Sequence, residues 1–306
     1  MWHSLLDKIK NGDTRSLSRA ISLVENEAPG YEQFLRELPH NPATKIIGIT
    51  GPPGSGKSTI TDLLIGELVR SGRRIAVICI DPSSPFTHGA LLGDRIRMRE
   101  WYTHPDVFIR SLSSRGSLGG LNPSIIEIAD VIKAAPFDHI IIETVGVGQS
   151  EIEIASLADT TLVVQAPESG DDIQTMKSGL MEIADIFVVN KCDRPGADLF
   201  VTTLRTATAD PGRDRPRPPV IKMTATEKQG AAELLQAIAE HEQQTDNPRH
   251  TPALLAERAY HLLIKQFSRR INKQELIGLI REEYAGAGFN LYKIISRYSE
   301  GIDKQP

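Results

Sequence analysis

The stretch KIIGIT at residues 45–50, followed at once by GPPGSGKS at 51–58, constrains this chain more than any other feature. A β-branched run, a glycine-rich loop and the helix-compatible TITDLLIGELVR have the strand–loop–helix order that a phosphate-binding loop requires. Glycines let successive backbone N–H groups converge on phosphate oxygens, and the start of the following helix adds its positive dipole end. The motif predicts a phosphate-binding loop made of Gly51, Pro52, Pro53, Gly54, Ser55, Gly56, Lys57, Ser58 and Thr59. Within it, Lys57 is expected to neutralise the β- and γ-phosphate oxygens, and the Ser58 hydroxyl is suited to bind Mg²⁺.

Short apolar runs alternate with helical stretches from residue 45 onward, which indicates the fold class. The runs are KIIGIT, RIAVICI, VFIRSL, HIIIET, TTLVVQ, DIFVVN and PVIKMT. Because strands that are buried on both faces read as nearly continuous apolar segments, this pattern predicts an α/β fold with a mainly parallel sheet covered by helices. We then expect functional loops at the carboxyl ends of the strands.

The chain ends have helical spacing of apolar residues on either side of this pattern. We predict an N-terminal helical extension at 1–42, a nucleotide-binding domain at 43–245 and a C-terminal helical extension at 246–306. The spacing within 251–296 predicts two long helices, which either cap the sheet or form a dimerisation arm.

The tetrapeptide NKCD at 190–193 follows a predicted buried strand and carries the signal for the base. A carboxylate at Asp193 can accept from both the N1–H and the exocyclic amine of guanine, a pair of donors that adenine lacks. Asn190 can brace the loop, and the stem of Lys191 can cover the face of the base. Backbone N–H groups of Thr224, Ala225 and Thr226, after the last predicted strand, are candidates to complete the pocket. We therefore predict GTP and GDP rather than ATP as the ligands.

Carboxylates at strand ends around the loop point to a bound cation. Asp81 and Glu143 end predicted strands, and Asp94 lies in the connection after Asp81. Such carboxylates suit Mg²⁺, which keeps several waters and bridges phosphate oxygens. A turn-capping role for Asp81 and a surface ion pair for Asp94 remain alternatives. In the turn after Glu143, Gly146 lets the backbone N–H approach the γ-phosphate.

Composition excludes several other classes of protein. The 306 residues are 40% hydrophobic and 24% charged with a formal net charge of −4, which argues against nucleic acid or an anionic membrane as the main partner. Two cysteines allow neither a disulfide framework nor a four-thiolate zinc site, and Cys79 in IAVICI is expected to be a buried structural thiol. No apolar segment is long enough to span a membrane, and the expected location is the cytoplasm.

The motifs together resemble those of the MeaB-type GTPases, a family also called ArgK, over roughly residues 15–275. The segments that carry the resemblance are ITGPPGSGKST, DPSS, LLGDRIRM, SRGSLGGL, ETVGVGQSE, QAPESGDDIQTMKSG and NKCD. Members are G-protein chaperones of adenosylcobalamin-dependent acyl-CoA mutases, typified by methylmalonyl-CoA mutase, and include the human protein behind one form of methylmalonic aciduria.

This resemblance implies a homodimer that hydrolyses GTP with Mg²⁺ and whose nucleotide state gates cofactor loading and the removal of damaged cobalamin. It assigns Lys57, Ser58, Asp81, Asp94 and Glu143 to the phosphate and magnesium environment. It assigns Asp193 and residues 224–226 to the guanine site, and 166–177 to a switch through which partner and nucleotide communicate.

Some positions depart from the family pattern. His88 and Ala90 stand in THGA, where a TGGS-like sequence is expected, and Ser113 stands where a proline is common. These departures leave open a sister mutase as partner, such as one acting on isobutyryl- or 2-hydroxyisobutyryl-CoA.

Three rival classes of nucleotide-binding protein fit these residues less well. A nickel metallochaperone GTPase, for hydrogenase or urease, would be expected to show clustered cysteine or histidine, whereas the eight histidines here are scattered. A kinase normally uses ATP, which NKCD disfavours, and a partitioning-type ATPase carries a signature lysine at the position of Pro52.

The water-activating residue is not assigned by the sequence. The turn ETVGVGQSE has Val147 directly after Gly146, and Gln149 two residues further along. Valine cannot orient water, so lysine and magnesium charge must supply most of the stabilisation, and we expect a low intrinsic turnover that a partner raises.

Overall fold

The structure is a computed structural model that describes most of the chain. The described residues are 1–81, 98–114, 121–146, 150–167, 178–208, 217–243, 252–284 and 289–302. They divide into two compact units, Met1–Arg249 and His250–Pro306. The predicted boundaries at 42 and 245 remain predictions.

The first unit is built on a seven-stranded parallel sheet with the strand order β3-β2-β4-β1-β5-β6-β7. The strands are β1 (Lys45–Thr50), β2 (Ile75–Asp81), β3 (Val107–Ser113), β4 (His139–Glu143), β5 (Thr160–Gln165), β6 (Ile186–Val189) and β7 (Val220–Lys222). All seven predicted runs therefore form strands, and the predicted α/β fold with a parallel sheet is confirmed. Buried side chains fill β1, β2, β4, β5 and β6 almost without interruption, as expected for a sheet covered on both faces.

Helices surround the sheet in the first unit. They are α1 (Trp2–Lys10), α2 (Thr14–Glu25), α3 (Tyr31–Arg36), α4 (Lys57–Arg70), α5 (Ile125–Lys133), α6 (Ser150–Leu157), α7 (Ser178–Ile183), α8 (Ala197–Ala207) and α9 (Ala231–Gln243). Short 3-10 helices lie at Arg99–Trp101 and Ala225–Glu227.

Each face of the sheet has its own core because strand side chains alternate between faces. On one face, Ile46 of β1 packs in a cluster with Ile21 of α2 and Ile128 of α5. On the other face, Ile47 packs in a cluster with Leu64 of α4 and Leu234 of α9. The N-terminal helices therefore share a core with the sheet. Cys79 is buried in the second cluster, as predicted.

The second unit corrects one expectation. Its described residues form three helices, α10 (Pro252–Ser268), α11 (Lys273–Tyr284) and α12 (Leu291–Ile302), where two long helices were predicted. The side chain of Asn272 accepts hydrogen bonds from the backbone N–H groups of Gln274 and Glu275 at 3.0 and 3.3 Å. Asn290 caps α12 in the same manner. Because these N-caps start new helices, they interrupt an apolar spacing that looks continuous.

Among the helices that the structure describes, none is long and apolar enough to cross a membrane.

Candidate nucleotide-binding site

The phosphate-binding loop lies where a parallel sheet places its ligands. It follows the central strand β1, whose neighbours are β4 and β5, and it leads directly into α4. Gly56 precedes α4 with φ 95°, in the left-handed region. A Cβ at Gly56 would lie 2.1 Å from Nδ2 of Asn190, so only glycine fits between the loop and that amide. Because α4 begins directly after the loop, its first N–H groups and its positive dipole end lie at the loop, as an anion site requires.

Lys57 is buried against the loop that it belongs to. Its side-chain ammonium donates to the carbonyl oxygens of Gly51 at 3.0 Å and Pro52 at 3.1 Å. The turn after β4 comes equally close: a Cβ at Gly146, whose φ is 84°, would lie 2.4 Å from Nζ of Lys57 and 2.4 Å from the Gly51 carbonyl oxygen. The structure therefore brings Lys57 and Gly146 into contact at the mouth of the loop.

Ser58 and Glu143 also meet. The Ser58 hydroxyl donates to Oε1 of Glu143 at 2.5 Å, and both residues are buried. Glu143 ends β4 and is level with Ile49 of β1 and Cys79 of β2 in the register. A hydroxyl and a carboxylate are hard oxygen donors of the kind that Mg²⁺ takes, so these two residues fit the predicted cation.

Asp81 ends β2, the strand next to β4, and is buried. Its backbone carbonyl accepts from the Ser114 N–H at 3.1 Å. Asp94 lies outside the described residues. Within the parts of the chain that the structure describes, no group of three or more His, Cys, Asp or Glu side chains is arranged to hold a metal ion. Mg²⁺ in phosphate sites is commonly held by one or two carboxylates together with substrate phosphates and water, and such a site needs no preformed cluster.

Asn190, in the loop after β6, links the loop after β7 to the phosphate-binding loop. Its Nδ2 donates to the Ser55 carbonyl oxygen at 2.9 Å, and its Oδ1 accepts from the Ala225 N–H at 3.1 Å. Both bonds are buried. The Ala225 N–H is engaged by Asn190, and the Thr224 N–H donates to the Gln229 carbonyl oxygen at 3.2 Å. Of the three backbone N–H groups predicted to complete the base pocket, that of Thr226 is therefore the better candidate.

The rest of NKCD is more open. Lys191 has φ 58°, and Asp193, the residue predicted to bind guanine, is exposed. Between them, the Cys192 N–H donates to the Met223 carbonyl oxygen at 3.0 Å. Burial raises the pKa of the Cys192 thiol above its usual 9.0. This thiol is therefore a packing group at neutral pH.

Several predicted positions cannot be placed. Val147, Gln149 and His88 lie outside the described residues, as does most of the stretch 166–177. One buried polar residue beside the site was not predicted: Thr61 on α4 donates to Oε2 of Glu143 at 2.8 Å. The only sequence signal for it is its spacing of three residues from Ser58, which places both on one side of the helix.

This fold and this arrangement define a nucleotide-binding protein of the P-loop class. The family model described as methylmalonyl Co-A mutase-associated GTPase MeaB matches residues 17–277. The chain belongs to this family and is a GTPase, which confirms the resemblance stated from its motifs.

Known proteins agree with this placement. A relative in Pyrococcus abyssi, which its name describes as a GTPase, is 49% identical over 246 residues, covering 79% of this chain and 76% of the relative. The methylmalonic aciduria type A homolog, mitochondrial, of Caenorhabditis elegans is 32% identical over 263 residues, covering 77% of this chain and 64% of the relative. A crystal structure of LAO/AO transport system kinase is similar with a TM-score of 0.70 and 26% identity, over 99% of this chain and 98% of that one.

Proposed function

We propose that this GTPase is a chaperone of an adenosylcobalamin-dependent acyl-CoA mutase, and that its nucleotide state gates the loading and repair of the mutase cofactor. The observation that carries the proposal is the family match over residues 17–277, which includes the phosphate-binding loop and NKCD. Methylmalonyl-CoA mutase is the first candidate partner, and the departures at Ser113 and in THGA keep a sister mutase as the alternative. We further propose that it acts in the cytoplasm.

The side chains at the site support a simple division of labour in hydrolysis. Bound Mg²⁺ would supply charge neutralisation between the phosphates. Ser58 and Glu143 would hold it, with Asp81 at the neighbouring strand end. Lys57 would move its ammonium from the loop carbonyls to the β- and γ-phosphate oxygens, and Gly146 would bring a backbone N–H to the γ-phosphate.

Guanine selectivity is assigned to Asp193, supported by Asn190 behind it. Replacing Asp193 by Asn exchanges an acceptor pair for a mixed donor and acceptor, which matches the N1–H and the 2-carbonyl of xanthine. Equilibrium binding of GDP and XDP to wild type and Asp193→Asn should show that the preference reverses. Unchanged guanine selectivity in the variant would remove Asp193 from the site.

We also propose that the protein works as a homodimer formed through its second unit. Large apolar side chains on all three helices of that unit are exposed, among them Leu255 at 58%, Phe267 at 58% and Tyr292 at 80%. Many exposed large apolar side chains on one small unit are typical of a protein interface. Sedimentation velocity should give a dimer for the wild type and a monomer for Leu255→Asp with Phe267→Asp. A wild-type monomer at micromolar concentration would contradict this part of the proposal.

The coupling to a mutase is tested by capture. The GTPase is immobilised with GDP or with a non-hydrolysable GTP analogue, and a purified cobalamin mutase is passed over it. We expect retention that depends on which nucleotide is bound. Equal retention in both states, or none in either, would count against nucleotide gating.

A further inference from the structure

Both carboxylate oxygens of Glu143 are held by hydroxyl groups of one helix. Ser58 Oγ lies 2.5 Å from Oε1, and Thr61 Oγ1 lies 2.8 Å from Oε2. Thr61 is fully buried, and Glu143 is 4% exposed. The carboxylate plane is therefore fixed from two sides by residues three apart on α4, one of which is a predicted magnesium ligand.

Thr61 has a second acceptor within reach. Its hydroxyl also lies 3.0 Å from the Lys57 carbonyl oxygen, one turn earlier in α4. A threonine hydroxyl has one proton, so it donates to the carboxylate or to the carbonyl, not to both. If the contact with Glu143 is lost, the Thr61 hydroxyl can donate to the Lys57 carbonyl oxygen instead, so that no buried donor is left unsatisfied.

We infer that Thr61 is a positioning residue for the magnesium site: it holds Oε2 of Glu143 so that Oε1 is presented beside the Ser58 hydroxyl. This inference rests on the proposed Mg²⁺-dependent nucleotide binding. The physical reason is that carboxylates that bind a metal are themselves oriented by hydrogen bonds. Removing such a hydrogen-bond partner lowers the affinity of the site for the metal rather than its affinity for the nucleotide. Thr61 contacts neither nucleotide nor cation in this role.

The test compares Thr61→Val, which keeps the branched shape and loses the hydroxyl, with Thr61→Ser, which keeps the hydroxyl. Fluorescent GDP is bound to each protein in EDTA, and Mg²⁺ is titrated while the slowing of nucleotide release is followed. We expect the Mg²⁺ midpoint of Thr61→Val to rise about tenfold, the low end of the range for outer-shell partners, and Thr61→Ser to restore it. GDP affinity in EDTA should be the same in all three.

Thr202→Val is the matched control. Thr202 makes the same bond to the carbonyl one turn earlier in its helix, to Asp198 at 2.8 Å, but it lies on the exposed side of α8. The Mg²⁺ midpoint of Thr202→Val should equal that of the wild type. This control separates the loss of a hydroxyl that bonds its own helix from the loss of the contact with Glu143.

Equal midpoints for wild type and Thr61→Val, or failure of Thr61→Ser to restore the midpoint, would overturn the role of Thr61 alone. A wild type whose GDP release does not respond to Mg²⁺ would overturn the proposed magnesium-dependent function and this inference with it. If thermal unfolding shows that Thr61→Val does not fold, Thr61→Ala takes its place with the same expected midpoint.

Discussion

Replacing Asn190 by Ala tests how the NKCD loop, proposed to bind guanine, and the phosphate-binding loop are held together. The substitution removes two buried hydrogen bonds and leaves the Ser55 carbonyl and the Ala225 N–H without their side-chain partner. A buried polar group that loses its partner costs about 1–3 kcal/mol, so the two together predict a loss of about 2–6 kcal/mol. This is a large share of the roughly 5–15 kcal/mol that holds a typical domain folded.

Urea unfolding of the nucleotide-free protein, followed by circular dichroism, measures this loss as a lower midpoint. Binding of GDP should weaken as well, because both loops that Asn190 joins contribute to the site. A loss of stability within about 0.5 kcal/mol, the range of an ordinary surface substitution, would refute the reasoning.

A double-mutant cycle with Gly56→Ala sharpens the test. A Cβ at Gly56 would meet Nδ2 of Asn190 at 2.1 Å, in addition to the strain of a left-handed φ of 95°. Only the strain, about 1–2 kcal/mol, should remain once Asn190 is replaced. Gly56→Ala should therefore cost less stability in the Asn190→Ala background than in the wild type. Strict additivity would mean that the amide does not lie over Gly56 in solution.

Three further predictions concern single groups. Gly146→Ala should weaken Mg·GTP binding, since its Cβ would lie 2.4 Å from the P-loop lysine ammonium at φ 84°; unchanged GTP affinity by calorimetry would contradict the contact. Although burial raises it, hydrogen bonds from the Arg74 backbone and the Arg73 side chain hold the pKa of Asp138 below its usual 3.8. The stabilisation that Asp138 provides should therefore be complete above pH 3.8 and should be lost as the pH falls through the lower pKa that Asp138 has in the folded protein. Asp138→Asn should then reduce the fall in the free energy of unfolding at acid pH. Because burial raises the pKa of its thiol, Cys192 should react with iodoacetamide at pH 8 more slowly in the folded protein than in urea, and equal rates would contradict its burial.

Much of the fold was predictable because buried parallel strands leave a strong signal. Runs such as IAVICI and IFVV are apolar at every position, and only a sheet covered on both faces uses such segments repeatedly at this spacing. The phosphate-binding loop was predictable because its glycines, lysine and serine occur in fixed order between a strand and a helix.

Other features were beyond the sequence for physical reasons. The predicted number of helices after residue 251 was wrong because Asn272 and Asn290 act as N-caps of separate helices. Asparagine occurs in helices, turns and loops alike, so the sequence does not mark these two as caps. Thr61 was missed because a threonine inside a helix usually bonds the carbonyl one turn earlier, and nothing local reveals that Glu143, 82 residues away, comes within reach. That Asn190 reaches Ser55 likewise depends on how the strands are ordered in the sheet.

The most direct test of the account is the rate of GTP hydrolysis, measured for the protein alone and with each adenosylcobalamin-dependent mutase of its source organism. No side chain among the described residues is assigned to orient the attacking water. We therefore predict slow turnover for the protein alone and a clear rise with one mutase, whether that mutase acts on methylmalonyl-, isobutyryl- or 2-hydroxyisobutyryl-CoA. A rate that no cobalamin mutase changes would contradict the central claim that a mutase partner controls this GTPase.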